Sequence, residues 1–214
     1  MRALGLDIGT TTISAVIVEV EGRKIERAYT IANESFIETK FAWEKIQKPD
    51  IILKKTNKLL DEIFEEYSDI QVIGLTGQMH GIVYLDAKGE HISPLYTWQD
   101  GRGNLAGEGG RSICGILKED FSVKSYSGYG LVTHLYNCRQ GLVPEGASQI
   151  CTIADYLGMR MTGRTTPLIH SSNAASLGLY DAKRGSFLKE TLQKAEVVIS
   201  ILPEVTDDYT CIGS

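Results

Sequence analysis

Apolar runs over residues 2–9, 11–20 and 24–31 predict three strands. Glu21-Gly22-Arg23 turns the second into the third. The first two meet at Gly9 and Thr10, too short a link for a parallel crossover, so they are predicted antiparallel neighbours. Pro49 suits the first turn of a helix, and after it Ile52, Leu59, Leu60, Ile63, Phe64 and Tyr67 recur at helical spacing. A short apolar strand is predicted over 72–75, then a hairpin of 81–86 and 91–96 turned by Asp86-Ala87-Lys88-Gly89. Further helices are predicted over 131–140, 153–161 and 187–195, and strands over 148–152 and 177–180. The glycine-rich stretch 101–115 yields no element. Three antiparallel strands, a helix and a further strand predict an α/β fold with a mixed sheet covered by helices.

Composition narrows the function classes. The 214 residues are 43% hydrophobic and 23% charged, as in an ordinary globular protein. A net charge of -5 argues against a nucleic-acid partner held by a basic face. No apolar run reaches the roughly 18 residues of a membrane span. Asp7 interrupts any charged-then-apolar leader, so the expected compartment is the cytoplasm. Cys114, Cys138, Cys151 and Cys211 form no CxxC unit and read as reduced thiols rather than zinc ligands. Asn33-Glu34-Ser35 is a glycosylation sequon that carries no weight without a secretion signal.

Three clusters could carry chemistry. Asp7-Ile8-Gly9-Thr10-Thr11-Thr12 puts a carboxylate and a row of hydroxyls in the turn between two strands. Glycine admits a ligand close to the backbone, and hydroxyls and N–H groups can face a phosphate. A carboxylate beside a phosphate calls for a cation between them, and Mg²⁺ accepts both. The competing reading is a tight turn whose side chains bond the local backbone. Gln78-Met79-His80, bracketed by Gly77 and Gly81, could offer an amide, an apolar surface and an imidazole to a polyhydroxylated ligand, or could hold an ordinary turn histidine. Trp98, Asp100 and Arg102 combine an aromatic face with polar groups that divide sugar hydroxyls by donor and acceptor role. The alternative is an Asp–Arg pair at a strand end beside a packed Trp. No Walker loop, HExxH or nucleophile elbow occurs, and Gly101-Arg-Gly103-Asn-Leu-Ala106 follows no convincing strand. His91, His134 and His170 share no ligand spacing.

Taken in order, GLDIGTTTISAVIV, GLTGQMHGIVYLD, TWQDGR, TIADYLGMRMTG and SSNAASLGLYD resemble the motifs of the FGGY family of carbohydrate kinases. The wording is most similar to sedoheptulokinase-like members, with xylulokinase-like members next. The resemblance implies two actin-like, ribonuclease-H-like domains, sugar binding mainly to the first and ATP mainly to the second. Residues 1–214 would be most of the first domain, with the ATP-binding domain absent. It implies Asp7 as a Mg²⁺ holder, Thr10, Thr11 and Thr12 near the ATP phosphates, and Gln78, Met79 and His80 facing the sugar. Trp98, Asp100 and Arg102 would form the opposite wall, and Asn173 would shape the loop that closes it.

The general base of the family is an aspartate in a Gly-Asp motif, and this chain has no such dipeptide. Asp207 and Asp208 do not match it, so the base is expected beyond Ser214 and the stretch 203–214 reads as the end of a fragment. The expected function is phosphorylation of a small ketose by ATP with Mg²⁺, in an enzyme for which a homodimer would be unsurprising. A sugar-sensing domain of the same fold is the alternative. An actin-like assembly protein would not require a sugar wall at Trp98–Arg102.

Overall fold

The computed structural model describes residues 1–207 and 211–213. Asp208, Ser214 and part of the tail at 203–214 lie outside these residues. The chain forms two compact units, one of residues 1–36 and 48–78, the other of 37–47 and 79–214.

In the first unit, β1 (Arg2–Ile8), β2 (Thr12–Glu19) and β3 (Lys24–Ala32) are the three predicted strands. The chain leaves for a two-residue strand of the second unit, β4 (Ile46–Gln47), and returns through α1 (Pro49–Glu66) and β5 (Ile70–Gly77). The sheet order is β3-β2-β1-β5, antiparallel through β3, β2 and β1 and parallel between β1 and β5. This mixed topology follows from link length: a three-residue turn enforces antiparallel pairing, while the long excursion with α1 permits a parallel return.

Register then sorts the faces. Leu4 opposes Ile17, Leu6 opposes Ala15 and Ile8 opposes Ile13, all buried. The opposite face carries a polar row, in which Thr30 pairs with Ser14, Ser14 with Asp7, and Asp7 with Thr76. In α1, Ile52, Leu59, Leu60 and Ile63 are buried as predicted, each burial contributing about 1.5–3 kcal/mol. Phe64 is exposed because it sits at the margin of the stripe set by Ile52, Thr56, Leu59 and Ile63, and Tyr67 is the residue that caps the helix end.

The second unit adds β6 (Val83–Leu85), β7 (Leu95–Tyr96), α2 (Ile113–Phe121), α3 (Gly130–Arg139), β8 (Gln149–Cys151), α4 (Ile153–Thr162), β9 (Leu168–His170), α5 (Ser171–Ser176), β10 (Tyr180–Asp181), β11 (Ser186–Phe187), α6 (Lys189–Lys194) and β12 (Glu204–Thr206). Its pairs are short: β4 with β7, β6 with β8, β9 with β12, and β10 with β11. The predicted hairpin over 81–96 closes only through bridges at Ile82–Tyr96 and Leu85–His91, and its arms pair outward with β8 and β4. Of the strand predicted over 177–180, residues 177–179 are the turn after α5 and only Tyr180 enters a strand, β10, and α2 emerges from the glycine-rich stretch where Ser112 caps it through Gly115 N–H. α4 begins with a capping box of Thr152 and Asp155 and ends at Gly163 in the left-handed region. The core of this unit gathers Ile82, Tyr84, Leu131, Ile150, Leu177 and their neighbours. Among the described residues no helix is long and apolar enough to cross a membrane.

Candidate active site

In the first unit, β1 ends at the Gly9 turn. A Cβ at Gly9 would sit 2.8 Å from the Thr12 carbonyl oxygen, so only glycine fits this bend. Asp7 is half-buried, Thr10 and Thr12 are half-buried, and Thr11 is exposed. Among the described residues the Asp7 carboxylate makes no hydrogen bond and no ion pair. The expected alternative, an aspartate tied to its own turn, is therefore not what the fold contains. Thr10 Oγ1 donates to Gln78 Oε1 at 3.2 Å, so the amide that ends β5 braces the hydroxyl turn. The Gln78 N–H donates to the Ile8 carbonyl at 2.8 Å.

The turn has a clamp that sequence reasoning missed. Asn33, fully buried, donates from Nδ2 to the Gly9 carbonyl at 2.7 Å and from its backbone to the Thr11 carbonyl at 2.8 Å. Its burial also removes Asn33 as a glycan acceptor, whatever the sequon implies. The available signal was an amide at the end of a strand, which by itself does not say which carbonyls it will meet.

In the second unit, Met79 is 45% exposed and Trp98 is 48% exposed, two large apolar surfaces left open. His80 adopts a left-handed backbone with φ of 71°. Its ring stacks on Tyr129 with centroids 4.7 Å apart and planes 6° apart. A Cβ at Gly128 would collide with the Trp98 carbonyl, so the loop before α3 lies directly against the Trp98 backbone.

Asp100 and Arg102 are placed differently from the expected wall. They are 0% and 2% exposed. Asp100 Oδ1 accepts from Arg102 Nε at 2.7 Å, and Oδ2 accepts from Arg102 Nη2 and the Lys45 N–H, both at 3.1 Å. Arg102 Nη1 reaches Asn137 Oδ1 at 2.7 Å, and its guanidinium lies 4.3 Å from the Tyr96 ring centroid. Burial works against the Arg102 charge, but the hydrogen bonds and charge of Asp100 outweigh it and hold the group firmly protonated. The pair, almost wholly enclosed, braces the segment behind Trp98.

The network continues inward. Asn137 Nδ2 donates to the Tyr84 hydroxyl at 3.2 Å, which donates to His134 Nδ1 at 2.8 Å. Burial pushes the His134 imidazole down to about 4, so it is neutral and can accept that proton. Asn173 is half-buried and donates from Nδ2 to Thr152 Oγ1 at 3.2 Å.

Residues 2–214 match the FGGY family of carbohydrate kinases, N-terminal domain. The chain belongs to this family. It is 27% identical over 236 residues to the sedoheptulokinase of Mus musculus, an alignment covering 98% of this chain and 48% of that protein. It is 25% identical over 217 residues to the xylulose kinase of Staphylococcus xylosus, covering 98% and 44%. Crystal structures of xylulose kinases from Brucella ovis and Lactobacillus acidophilus superpose with TM-scores of 0.83 and 0.81 at 21% and 18% identity. Each covers 96% of this chain, with 43% and 42% of the respective relative. The FGGY chain spans about half the length of the curated relatives it matches. The mixed sheet with its three leading antiparallel strands is thus the actin-like, ribonuclease-H-like fold of this family.

The residues present fit a magnesium-bridged phosphate. Among the described residues no three His, Cys, Asp or Glu side chains cluster as a metal cage. A lone unpartnered carboxylate beside hydroxyls is nonetheless the donor set Mg²⁺ uses when phosphate oxygens and water complete its shell.

Proposed function

We propose that the complete protein phosphorylates a small ketose, such as sedoheptulose, xylulose or ribulose, with ATP and Mg²⁺, and that this FGGY domain carries the sugar. The observation that carries the reading is the unpartnered, half-buried Asp7 carboxylate at a turn where only glycine fits. The kinase names of the relatives support the reaction class.

Mg²⁺ bound at Asp7 would neutralise charge on the transferring phosphate. Asp7 would hold it, and the backbone N–H groups of the turn with the hydroxyls of Thr11 and Thr12 would donate to phosphate oxygens, while the Thr10 hydroxyl, which donates to Gln78, braces the turn. Met79, His80 and Trp98 face the sugar, with an apolar surface for its C–H groups and an imidazole for a hydroxyl. Asp100, Arg102 and Asn173 hold these groups in place. The base that takes the hydroxyl proton, and the adenosine site, belong to sequence beyond residue 214. The working compartment is the cytoplasm and the partners are small molecules, with a homodimer as the expected assembly.

The test is coupled ATP consumption by the full-length protein across a panel of ketoses and polyols. Sugar-dependent turnover that requires Mg²⁺ is expected; sugar binding with no turnover would leave a sensor. Residues 1–214 alone are expected to show no ketose-dependent ATP consumption, and steady turnover by them would overturn the assignment of the base.

A further inference from the structure

The later motifs, around Asp155 and Asn173, lie far along the chain from the His80 loop, yet they meet it through an unbroken hydrogen-bonded path. Thr152 Oγ1 donates to Asp155 Oδ2 at 2.7 Å and accepts from Asn173 Nδ2 at 3.2 Å. The Asn173 carbonyl accepts from Ser176 Oγ at 2.7 Å. Ser176 Oγ in turn accepts from the His80 N–H at 3.1 Å. The Ser176 carbonyl lies 2.6 Å from His80 Nδ1.

That last contact decides a tautomer. A backbone carbonyl can only accept, so Nδ1 must carry the hydrogen. In the neutral imidazole this leaves Nε2 as an acceptor. Among the described residues His80 Nε2 has no hydrogen-bond partner. Stacking on Tyr129 resists rotation of the ring away from this setting. The left-handed backbone of His80 costs free energy that its fixed contacts must offset, which marks the position as constrained by its surroundings. Ser176, 4% exposed, supplies both of the polar contacts that hold it.

We propose that Ser176 is a positioning residue: its hydroxyl and carbonyl together fix the backbone and the Nδ1–H tautomer of His80, so that Nε2 accepts a hydrogen bond from a sugar hydroxyl. The inference rests on the reading that His80 faces the sugar. It gives the motif around Asn173 and Ser176 a defined task and specifies the ligand group: His80 requires a hydroxyl donor and rejects a ketose whose hydroxyl at that place is replaced by hydrogen or fluorine.

The experiment uses the full-length kinase labelled with ¹⁵N-histidine, with the His80 signals assigned by His80→Asn. Long-range ¹H–¹⁵N correlation is expected to show Nδ1 protonated and Nε2 bare; the opposite tautomer would overturn the proposal. Ser176→Ala removes the hydroxyl and is expected to raise KM for the sugar about five- to tenfold while KM for ATP moves less than about twofold. A folded Ser176→Ala enzyme with unchanged sugar KM would also overturn it. His80→Asn separates the two layers: asparagine tolerates the left-handed backbone and keeps a donor near the Ser176 carbonyl, but has no Nε2. A raised sugar KM in His80→Asn with none in Ser176→Ala removes only the role of Ser176. An unchanged sugar KM in His80→Asn removes the sugar-facing reading itself. Should Ser176→Ala fail to fold, the wild-type tautomer decides alone.

Discussion

Asp7 and His134 show how one side chain carries a testable consequence. Asp7 lies in the polar row of Thr30, Ser14 and Thr76 and has no ion pair among the described residues, so its removal leaves no buried cation stranded. On the proposed kinase reading, Asp7→Asn in the complete protein is expected to lower kcat by about 10²–10³-fold, the scale of losing one preorganised electrostatic contact. Calorimetry should find sugar affinity unchanged; a parallel loss of sugar binding would tie Asp7 to the fold. His134 titrates near 4 in the folded chain because burial disfavours its charge, against about 6.5 when unfolded. The unfolded chain therefore binds more protons between these values, and stability present above about 6.5 is lost as pH falls toward 4, by up to about 3 kcal/mol. Asp155 acts with the opposite sign, since burial raises its carboxyl to about 6 and its stabilisation fades as pH rises through that value. Denaturant titrations of His134→Gln against the parent, from pH 7 to 4, should show the parent losing its advantage across this window.

At the scale of elements, the Gly9 turn is held by a residue two strands away. Asn33 bonds the Gly9 and Thr11 carbonyls from the end of β3, so β3 carries the Gly9 turn even though no resemblance pointed to it. Asn33→Ala leaves the Gly9 carbonyl without its side-chain donor and is expected to cost about 1–3 kcal/mol, read as a lowered melting temperature. Protection of the variant by Mg–ATP should weaken in step. Loss of stability with full nucleotide protection would confine Asn33 to a structural role. The strands of this unit were legible because their apolar faces repeat with fixed period. In the second unit β6, β7 and β8 fell within predicted strands, but β4, β9, β11 and β12 did not, because two- and three-residue pairs such as β9–β12 have too few positions to set a period and depend on distant partners.

At the scale of the whole molecule, the Asp100–Arg102 pair joins three stretches of the second unit. It links the backbone at Lys45, the segment after β7, and Asn137 on α3. Asp100→Ala strands a buried guanidinium and is expected to destabilise the protein by about 3–5 kcal/mol, as measured by chemical denaturation. Replacing both partners, Asp100→Ala with Arg102→Met, should recover much of that loss. A single variant that keeps its stability but loses sugar binding would return Asp100 to the sugar surface. The chain by itself determined the opening strands, the glycine bend with its aspartate and threonines, and the order of motifs that places it among the FGGY kinases, because these are written in contiguous residues. Tertiary structure alone decided that Trp98 lies open while Asp100 and Arg102 lie inside, that Asn33 clamps the Gly9 turn, and that Ser176 meets His80. Those outcomes depend on contacts between residues tens of positions apart, and a local pattern of polar side chains is the same whether the fold turns it toward solvent or encloses it.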